Sequence, residues 1–371
     1  MTSSQSPDIE FDIHACDHPV PAAERERIME VPGFGDVFTD HMVTIRWSAD
    51  RGWHDGQLRP YGPITLDPAT SVLHYGQEIF EGLKAYVQAG GPVVAFRPQA
   101  NAARFNRSAA RMAMPELPER AFVQALELLV RQDRDWVPAA AGHSLYLRPF
   151  MIATERTLGV SRPSSSYLFT VIASPVAAYF SGGVQPVSVW FSEDYTRAAP
   201  GGTGEAKCGG NYAAAFAGQI EAARNDCDQV VWLDAAEHRW VEEMGGMNLF
   251  FVYGSGAQAR IMTPAPTGTL LQGITRDSLL KLGPDLGIPA EEGKISVDQW
   301  RAGCASGDLT EVFACGTAAV ITPVGVVKGA GQEWVIGDGK PGPVTMRLRD
   351  ELLDIQYGRT ADPYGWIPRL C

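Results

Sequence analysis

Apolar and polar positions along the chain switch repeatedly between a two-residue period and a three-to-four-residue period, the pattern of interleaved strands and helices. Residues 42–47 alternate and predict a strand, as do 92–96 behind the Gly90-Gly91 turn, 145–150 and 167–173. Phe122, Leu126, Leu129 and Val130 fall at helical spacing within 121–131. Residues 101–112 read as another helix, with Asn101 as its cap. Residues 1–40, rich in proline and charge, read as an arm over the surface. Residues 175–183, Pro-Val-Ala-Ala-Tyr-Phe-Ser-Gly-Gly, are the best candidate for a link between domains. Beyond them, 187–191, 230–233 and 249–253 predict strands and 211–224 a helix. Gly273-Ile274-Thr275 opens a further helix through Leu279 and Leu280, expected to stop near Gly283-Pro284 because proline breaks helices. Helices and strands mix in both halves, so the predicted fold class is α/β in two domains. The first is a small domain with its arm over 1–174, then a linker over 175–186, then a larger domain over 187–371.

A length of 371 residues is consistent with two domains, and 45% hydrophobic with 20% charged residues is ordinary for a soluble globular enzyme. The 43 acidic residues outnumber the 31 basic ones, for a net charge of −12. That balance disfavours nucleic acid and anionic membrane as partners, since both draw on basic surface. Any anionic ligand must then be held by locally placed cations and backbone N–H groups. The N-terminal stretch lacks the basic and apolar regions of a signal peptide. The longest apolar-looking stretch, 167–180, is too short to span a bilayer and is broken by Pro175. Six cysteines without a C-x-x-C pair predict reduced thiols in a cytoplasmic protein. None of the seven histidines falls in an H-E-x-x-H pattern, so a zinc site is not expected.

The candidate chemistry centres on residues 201–212, Gly-Gly-Thr-Gly-Glu-Ala-Lys-Cys-Gly-Gly-Asn-Tyr. Lys207 stands among glycines and small residues just before a predicted helix. A poorly hydrated setting lowers a lysine's pKa, and a neutral amine is what Schiff-base chemistry needs. The competing reading is a solvated lysine in a surface loop. A phosphate-cradling P-loop is a weak match, because Cys208 stands where Ser or Thr would hold magnesium. Glu242 and Glu243 precede Gly245-Gly246 and an apolar strand, where a buried carboxylate could pair with a protonated ring nitrogen. Gly273-Ile274-Thr275 has the look of a helix N-terminus suited to a phosphate. Gly316-Thr317-Ala318 could offer N–H groups to an anion. Arg104, Arg107 and Arg111 share one helix side; either they form a solvated basic face or one turns inward onto a phosphate.

Taken in order, these segments resemble the fold-type IV pyridoxal-phosphate enzymes, and specifically the branched-chain amino acid aminotransferases. The resemblance is carried by Leu73-His74-Tyr75-Gly76, Phe80-Glu81-Gly82-Leu83-Lys84-Ala85, Phe96-Arg97-Pro98, Leu145-Tyr146-Leu147-Arg148-Pro149 and Leu158-Gly159-Val160. It continues through Ala206-Lys207-Cys208-Gly209-Gly210-Asn211-Tyr212, Glu243-Met244-Gly245-Gly246-Met247-Asn248 and Cys315-Gly316-Thr317-Ala318. It implies a two-domain fold with the cofactor, pyridoxal 5′-phosphate, at the domain interface, bound largely by the C-terminal domain. It implies that Lys207 forms the Schiff base and is the catalytic base. Glu243 would pair with the pyridine nitrogen, Tyr212 with the ring's phenolic oxygen, and Arg104 with the phosphate, helped by backbone N–H groups of Ile274, Thr275 and Thr317. Tyr146 and Arg148 would bind substrate carboxylate, Thr317 and Ala318 would take the α-carboxylate, and Phe80 would wall the pocket. Tyr75, Leu158 and Val160 would wall it from a second subunit, so a homodimer is expected; plain core packing is the alternative for Leu158 and Val160.

The implied reaction is reversible amino transfer between L-leucine, L-isoleucine or L-valine and 2-oxoglutarate, with glutamate and the 2-oxo acids as further partners. Two departures stand out. Ala319 and Thr322 occupy the positions of the animal-type redox C-x-x-C, so thiol regulation is not expected. Gly246 stands where some members have a threonine near the phosphate. A D-amino acid aminotransferase, an aminodeoxychorismate lyase and a non-catalytic binding protein on the same scaffold are the competing assignments.

Overall fold

A computed structural model describes residues 9–177, 183–329 and 331–371. The chain divides into two compact units. The first comprises Met1–Ala178 together with two segments remote in sequence, Ala206–Gly209 and Gln356–Cys371; the second comprises Tyr179–Glu205 and Gly210–Ile355. The linker expected over 175–186 lies partly outside the described residues, and its first two residues, Pro175 and Val176, end a strand.

The first unit is built on one sheet, of eight strands among the described residues: β1 (Phe11–Ile13), β2 (His41–Ser48), β3 (Gly52–Pro60), β4 (Glu78–Phe80), β5 (Leu83–Val87), β6 (Val93–Ala95), β7 (Ser144–Ala153) and β8 (Ser166–Val176). Their order is β1-β3-β2-β8-β7-β5-β6, with β4 paired to β7. The helices of this unit are α1 (Ala22–Glu30), α2 (Val72–Tyr75), α3 (Pro98–Arg111) and α4 (Glu119–Gln132). Helix α4 packs on α3, β2 and β8, and the rings of Phe105, Phe122 and Phe169 meet 5.4–5.9 Å apart in the core. Strand β7 shows how the sequence divides core from chemistry. Leu145, Leu147, Met151 and Ala153 are buried, while Tyr146, Arg148 and Phe150 alternate with them and are only half-buried. Successive side chains of a strand point to opposite faces, so the period of two sends the polar pair away from the core.

The structure revises two expectations. The arm is partly structured: β1 adds to the sheet edge in parallel with β3, and α1 follows it. Asn101 is not the cap of α3. The helix starts at Pro98 after Arg97, and Asn101 is buried in its first turn with Nδ2 donating to the Arg97 carbonyl at 3.0 Å. Proline's fixed φ and missing N–H suit the first helical position, which moves the start three residues upstream. The helix expected to stop near Gly283-Pro284 does so, with Asp285 as its last residue. In a last turn a proline breaks the ladder only at its end, and the Leu286 N–H still reaches the Leu282 carbonyl.

The second unit contains β9 (Val187–Phe191), β10 (Gln229–Leu233), β11 (Val241–Met244), β12 (Met247–Tyr253), β13 (Arg260–Pro264), β14 (Ala290–Gly293), β15 (Leu309–Gly316), β16 (Val320–Gly329) and β17 (Gln332–Val335). The pairings β9–β10, β10–β11, β11–β12, β12–β15, β15–β16 and β16–β9 close on themselves, so six strands form a ring. Closure leaves those strands no free edge and gives a rigid frame. The helices are α5 (Gly209–Arg224), α6 (Ile274–Asp285), α7 (Val297–Ser306) and α8 (Pro343–Gln356). A stacked Phe250–Phe313 pair and an edge-on Phe251–Trp300 pair, both at 5.2 Å, are buried on the two faces of β12.

Candidate functional site

In the first unit the Lys207 segment is pinned through its backbone. The Lys207 N–H donates to Ser108 Oγ at 3.0 Å, and its carbonyl accepts from the Phe80 N–H at 2.9 Å. The half-buried amine then lies over the Phe80 ring, 4.8 Å from its centroid. Arg104 is buried, and its Nε and Nη2 donate to the two oxygens of fully buried Glu81 at 2.7 and 2.8 Å. That bidentate grip fixes the guanidinium plane. Arg107 and Arg111 of the same helix are exposed. The basic face is therefore solvated apart from Arg104, which turns inward.

Tyr146 and Arg148 come together on β7. Arg148 Nη2 donates to the Tyr146 hydroxyl at 3.2 Å, and the guanidinium lies 4.9 Å from the Phe80 ring and 5.3 Å from that of Tyr146. Its Nε is buried with no hydrogen-bond partner. Gly82 makes room for this pair, since a Cβ there would collide with the Tyr146 hydroxyl. Tyr75 ends α2 half-exposed, and its hydroxyl donates to the Leu158 carbonyl at 2.5 Å. Leu158 and Val160 are 62% and 72% exposed, so neither is core. Phe34, from the arm, packs its ring 5.3 Å from that of Tyr146. The sequence reading missed Phe34; its signal was an aromatic residue between two glycines, Gly33 and Gly35, both with positive φ.

In the second unit Glu242 and Glu243 are neighbours on β11 and both are buried. Their partners differ, as strand alternation requires. Glu242 Oε1 accepts from Thr269 Oγ1, and burial pushes its carboxyl up from the ordinary range. Glu243 Oε1 accepts from the Leu271 N–H at 2.5 Å and from Asn248 Nδ2 at 3.4 Å, while Oε2 lies 3.1 Å from Arg197 Nε. Arg197 is itself buried, with Nη1 donating to the carbonyls of Gly204 and Thr269. The sequence reading overlooked Arg197; a lone arginine beside a run of small residues was the available sign. Between Glu243 and Asn248 the chain turns through Gly245 (φ 55°) and Gly246, and Met244 pairs with Met247. A Cβ on Gly246 would lie 3.3 Å from the Tyr212 ring, so glycine there admits half-buried Tyr212, which stands in the first turn of α5.

Asn248 also clamps the start of α6. Its Nδ2 donates to the Leu271 carbonyl at 2.9 Å, and its Oδ1 accepts from the Gly273 N–H at 3.1 Å. Gly273 caps α6, as expected, and Ile274 and Thr275 form its first turn. Thr317 and Ala318 lie in a three-residue loop between β15 and β16, after the last pair Gly316↔Val320. Val320 has φ 63°, a strained backbone for a β-branched residue, held right beside that loop. Cys315 is fully buried, and burial pushes its thiol well up, which makes it unreactive.

A profile of the family described as amino-transferase class IV matches residues 78–327. A probable branched-chain-amino-acid aminotransferase of Streptomyces coelicolor is 62% identical over 95% of this chain and 96% of its own length. A branched-chain-amino-acid aminotransferase of Mycolicibacterium smegmatis is 60% identical over 98% of each chain. Among solved structures, the branched-chain amino acid aminotransferase from Escherichia coli aligns with a TM-score of 0.70 at 29% identity, covering 88% of this chain and 99% of that one. A second branched-chain amino acid aminotransferase, from the organism abbreviated T.th. and solved with pyridoxamine 5′-phosphate, gives a TM-score of 0.72 at 29% identity, over 88% and 98% of the two chains.

Proposed function

We infer from its membership — the chain belongs to the amino-transferase class IV family — that this protein is a pyridoxal-phosphate-dependent branched-chain amino acid aminotransferase. The observation that carries the reading is the Lys207 segment, whose amine is set over Phe80 by backbone bonds to Ser108 and Phe80 itself. The residues present fit the cofactor. Helix α6 starts at a glycine, which brings no capping side chain to the first-turn N–H groups, and a helix N-terminus is positively polarised. Buried Glu243, held by Leu271, Asn248 and Arg197, is a fixed carboxylate of the kind that keeps a pyridinium proton in place. When bound, pyridoxal 5′-phosphate supplies an electron sink for the pair released at the substrate Cα.

Lys207 would hold the cofactor covalently and would move the proton at the substrate Cα as general base and acid. Glu243 holds the ring-nitrogen proton. Tyr212 would donate to the phenolic oxygen, and Arg104 and the N–H groups of Ile274, Thr275 and Thr317 would each offer positive charge to the phosphate. Phe80 walls the pocket, and Thr317 and Ala318 N–H groups take the α-carboxylate. Arg148 would serve both substrates: its guanidinium, 4.9 Å from the Phe80 ring centroid and 5.3 Å from that of Tyr146, would pair with the distal carboxylate of glutamate or 2-oxoglutarate and move aside when the side chain is apolar. Arg148→Gln is therefore expected to raise KM for 2-oxoglutarate by roughly tenfold or more, the loss of a charge-assisted bond. KM for leucine should stay within about twofold of wild type in steady-state assays, because an apolar side chain makes no such bond.

The exposed apolar residues Leu73, Tyr75, Leu158 and Val160 support a homodimer in which this patch meets a second copy. Sedimentation analysis checks it, and a monomer at micromolar concentration argues against it. Among the described residues no helix is long and apolar enough to cross a membrane. All six cysteines are free thiols, which supports a reducing, cytoplasmic setting. The deciding experiment is a panel of L- and D-amino acids with 2-oxoglutarate. Turnover of L-leucine, L-isoleucine and L-valine with parallel double-reciprocal lines is expected; turnover of D-alanine alone, or of no donor, would overturn the assignment.

A further inference from the structure

Glu78 has no part in the chemistry described so far, yet its side chain reaches the segment that carries Lys207. It opens β4, two residues before Phe80. Its Oε1 accepts from the backbone N–H of Gly209, the first residue of α5 and two residues past Lys207. A Cβ on Gly209 would collide with that same carboxylate. Glycine at 209 is thus explained by the approach of an acid, since helix propensity alone favours alanine there.

The first N–H groups of a helix have no partner within it and carry partial positive charge, so a carboxylate is a favourable acceptor for them. Burial pushes the Glu78 carboxyl up from its ordinary value; the Gly209 N–H and the charge of Arg148 pull it part of the way back. A group kept at that cost of desolvation is engaged in a specific contact. Strand β4 therefore grips the lysine segment twice: the Phe80 N–H takes the Lys207 carbonyl, and Glu78 takes the N–H of Gly209. Ser108 holds the Lys207 N–H from a third side.

We propose that Glu78 is a positioning residue that locks the Lys207 segment, so that the amine is presented ready for covalent attachment and proton transfer. The proposal rests on the aminotransferase reading. Glu78→Ala frees the Gly209 N–H and loosens one side of the grip. Glu78→Gln keeps an oxygen acceptor at the same place. Gly209→Ala blocks the contact from the other side while suiting the helix.

The test follows covalent loading of apoprotein with pyridoxal 5′-phosphate, trapped by borohydride and read as the mass shift of the Lys207 peptide, alongside kcat and KM for leucine. Glu78→Ala and Gly209→Ala are each expected to slow loading and lower kcat by about 10- to 100-fold, the scale of a misplacement near 1 Å. KM for leucine should stay within about threefold, and Glu78→Gln should recover most of the loss. The double variant should be no worse than the poorer single one, because both remove one contact. Loading of Glu78→Ala at the wild-type rate, a Glu78→Gln as impaired as Glu78→Ala, or additive losses in the double variant would each overturn the proposal. Failure of wild type itself to load or to transaminate leucine would instead overturn the aminotransferase reading.

Discussion

Replacing Lys207 with alanine is expected to abolish transamination, with kcat for leucine and 2-oxoglutarate reduced by about 10³-fold or more, as befits a residue that serves as both attachment point and proton carrier. The fold should survive. The side chain is half-buried, and its ring contact, over Phe80 at 4.8 Å, is of the kind that contributes about 0.5–1 kcal/mol. The backbone bonds to Ser108 and Phe80 involve main-chain atoms of residue 207 and remain in the variant. The check is an activity assay on purified protein with a matched thermal melt. A stable variant with wild-type turnover would show that another group moves the proton.

The second large effect is expected at Glu243, and two substitutions separate its structural role from its chemical one. Glu243→Ala leaves Arg197 buried without its carboxylate and strands the Leu271 N–H. Breaking a buried pair from one side costs about 3–5 kcal/mol, which a denaturant titration will read directly. Glu243→Gln keeps an acceptor for the Leu271 N–H and is expected to be the more stable of the two. It lacks the charge that holds a proton on a ring nitrogen, so kcat should fall by about 10²- to 10³-fold, the usual range for removing one preorganised electrostatic partner. Full activity in Glu243→Gln would rule out that role. Wild-type stability in Glu243→Ala would show that Arg197 has an adequate partner elsewhere.

Both expectations follow from residues that were visible in the sequence, but their surroundings were not. Lys207 and Glu243 stand in small-residue settings whose order along the chain already pointed to this chemistry. Arg197, which holds Glu243, lies 46 positions before it in the chain and shares no local pattern with it. Only the closed ring of strands and the loop before α6 bring the two side chains within 3.1 Å. Phe34 is a similar case. Its place between two glycines sets it apart in the arm, but no local pattern names Tyr146 as its neighbour. Glu81 was noted only as part of a motif, whereas its fully buried carboxylate orients Arg104.

Periodicity alone determined that strands and helices interleave. It also fixed the two faces of β7, because backbone geometry imposes a period on side chains wherever an element packs. The exact first residue of α3 turned on one or two backbone hydrogen bonds, which no hydrophobic pattern encodes. Tertiary structure decided the rest: that Ala206–Gly209 and Gln356–Cys371 join the first unit, that Leu158 and Val160 are exposed, and that Glu78 meets Gly209. Those are contacts between residues far apart in the chain. Their partners are chosen by the burial of the whole sheet and not by any neighbour in sequence.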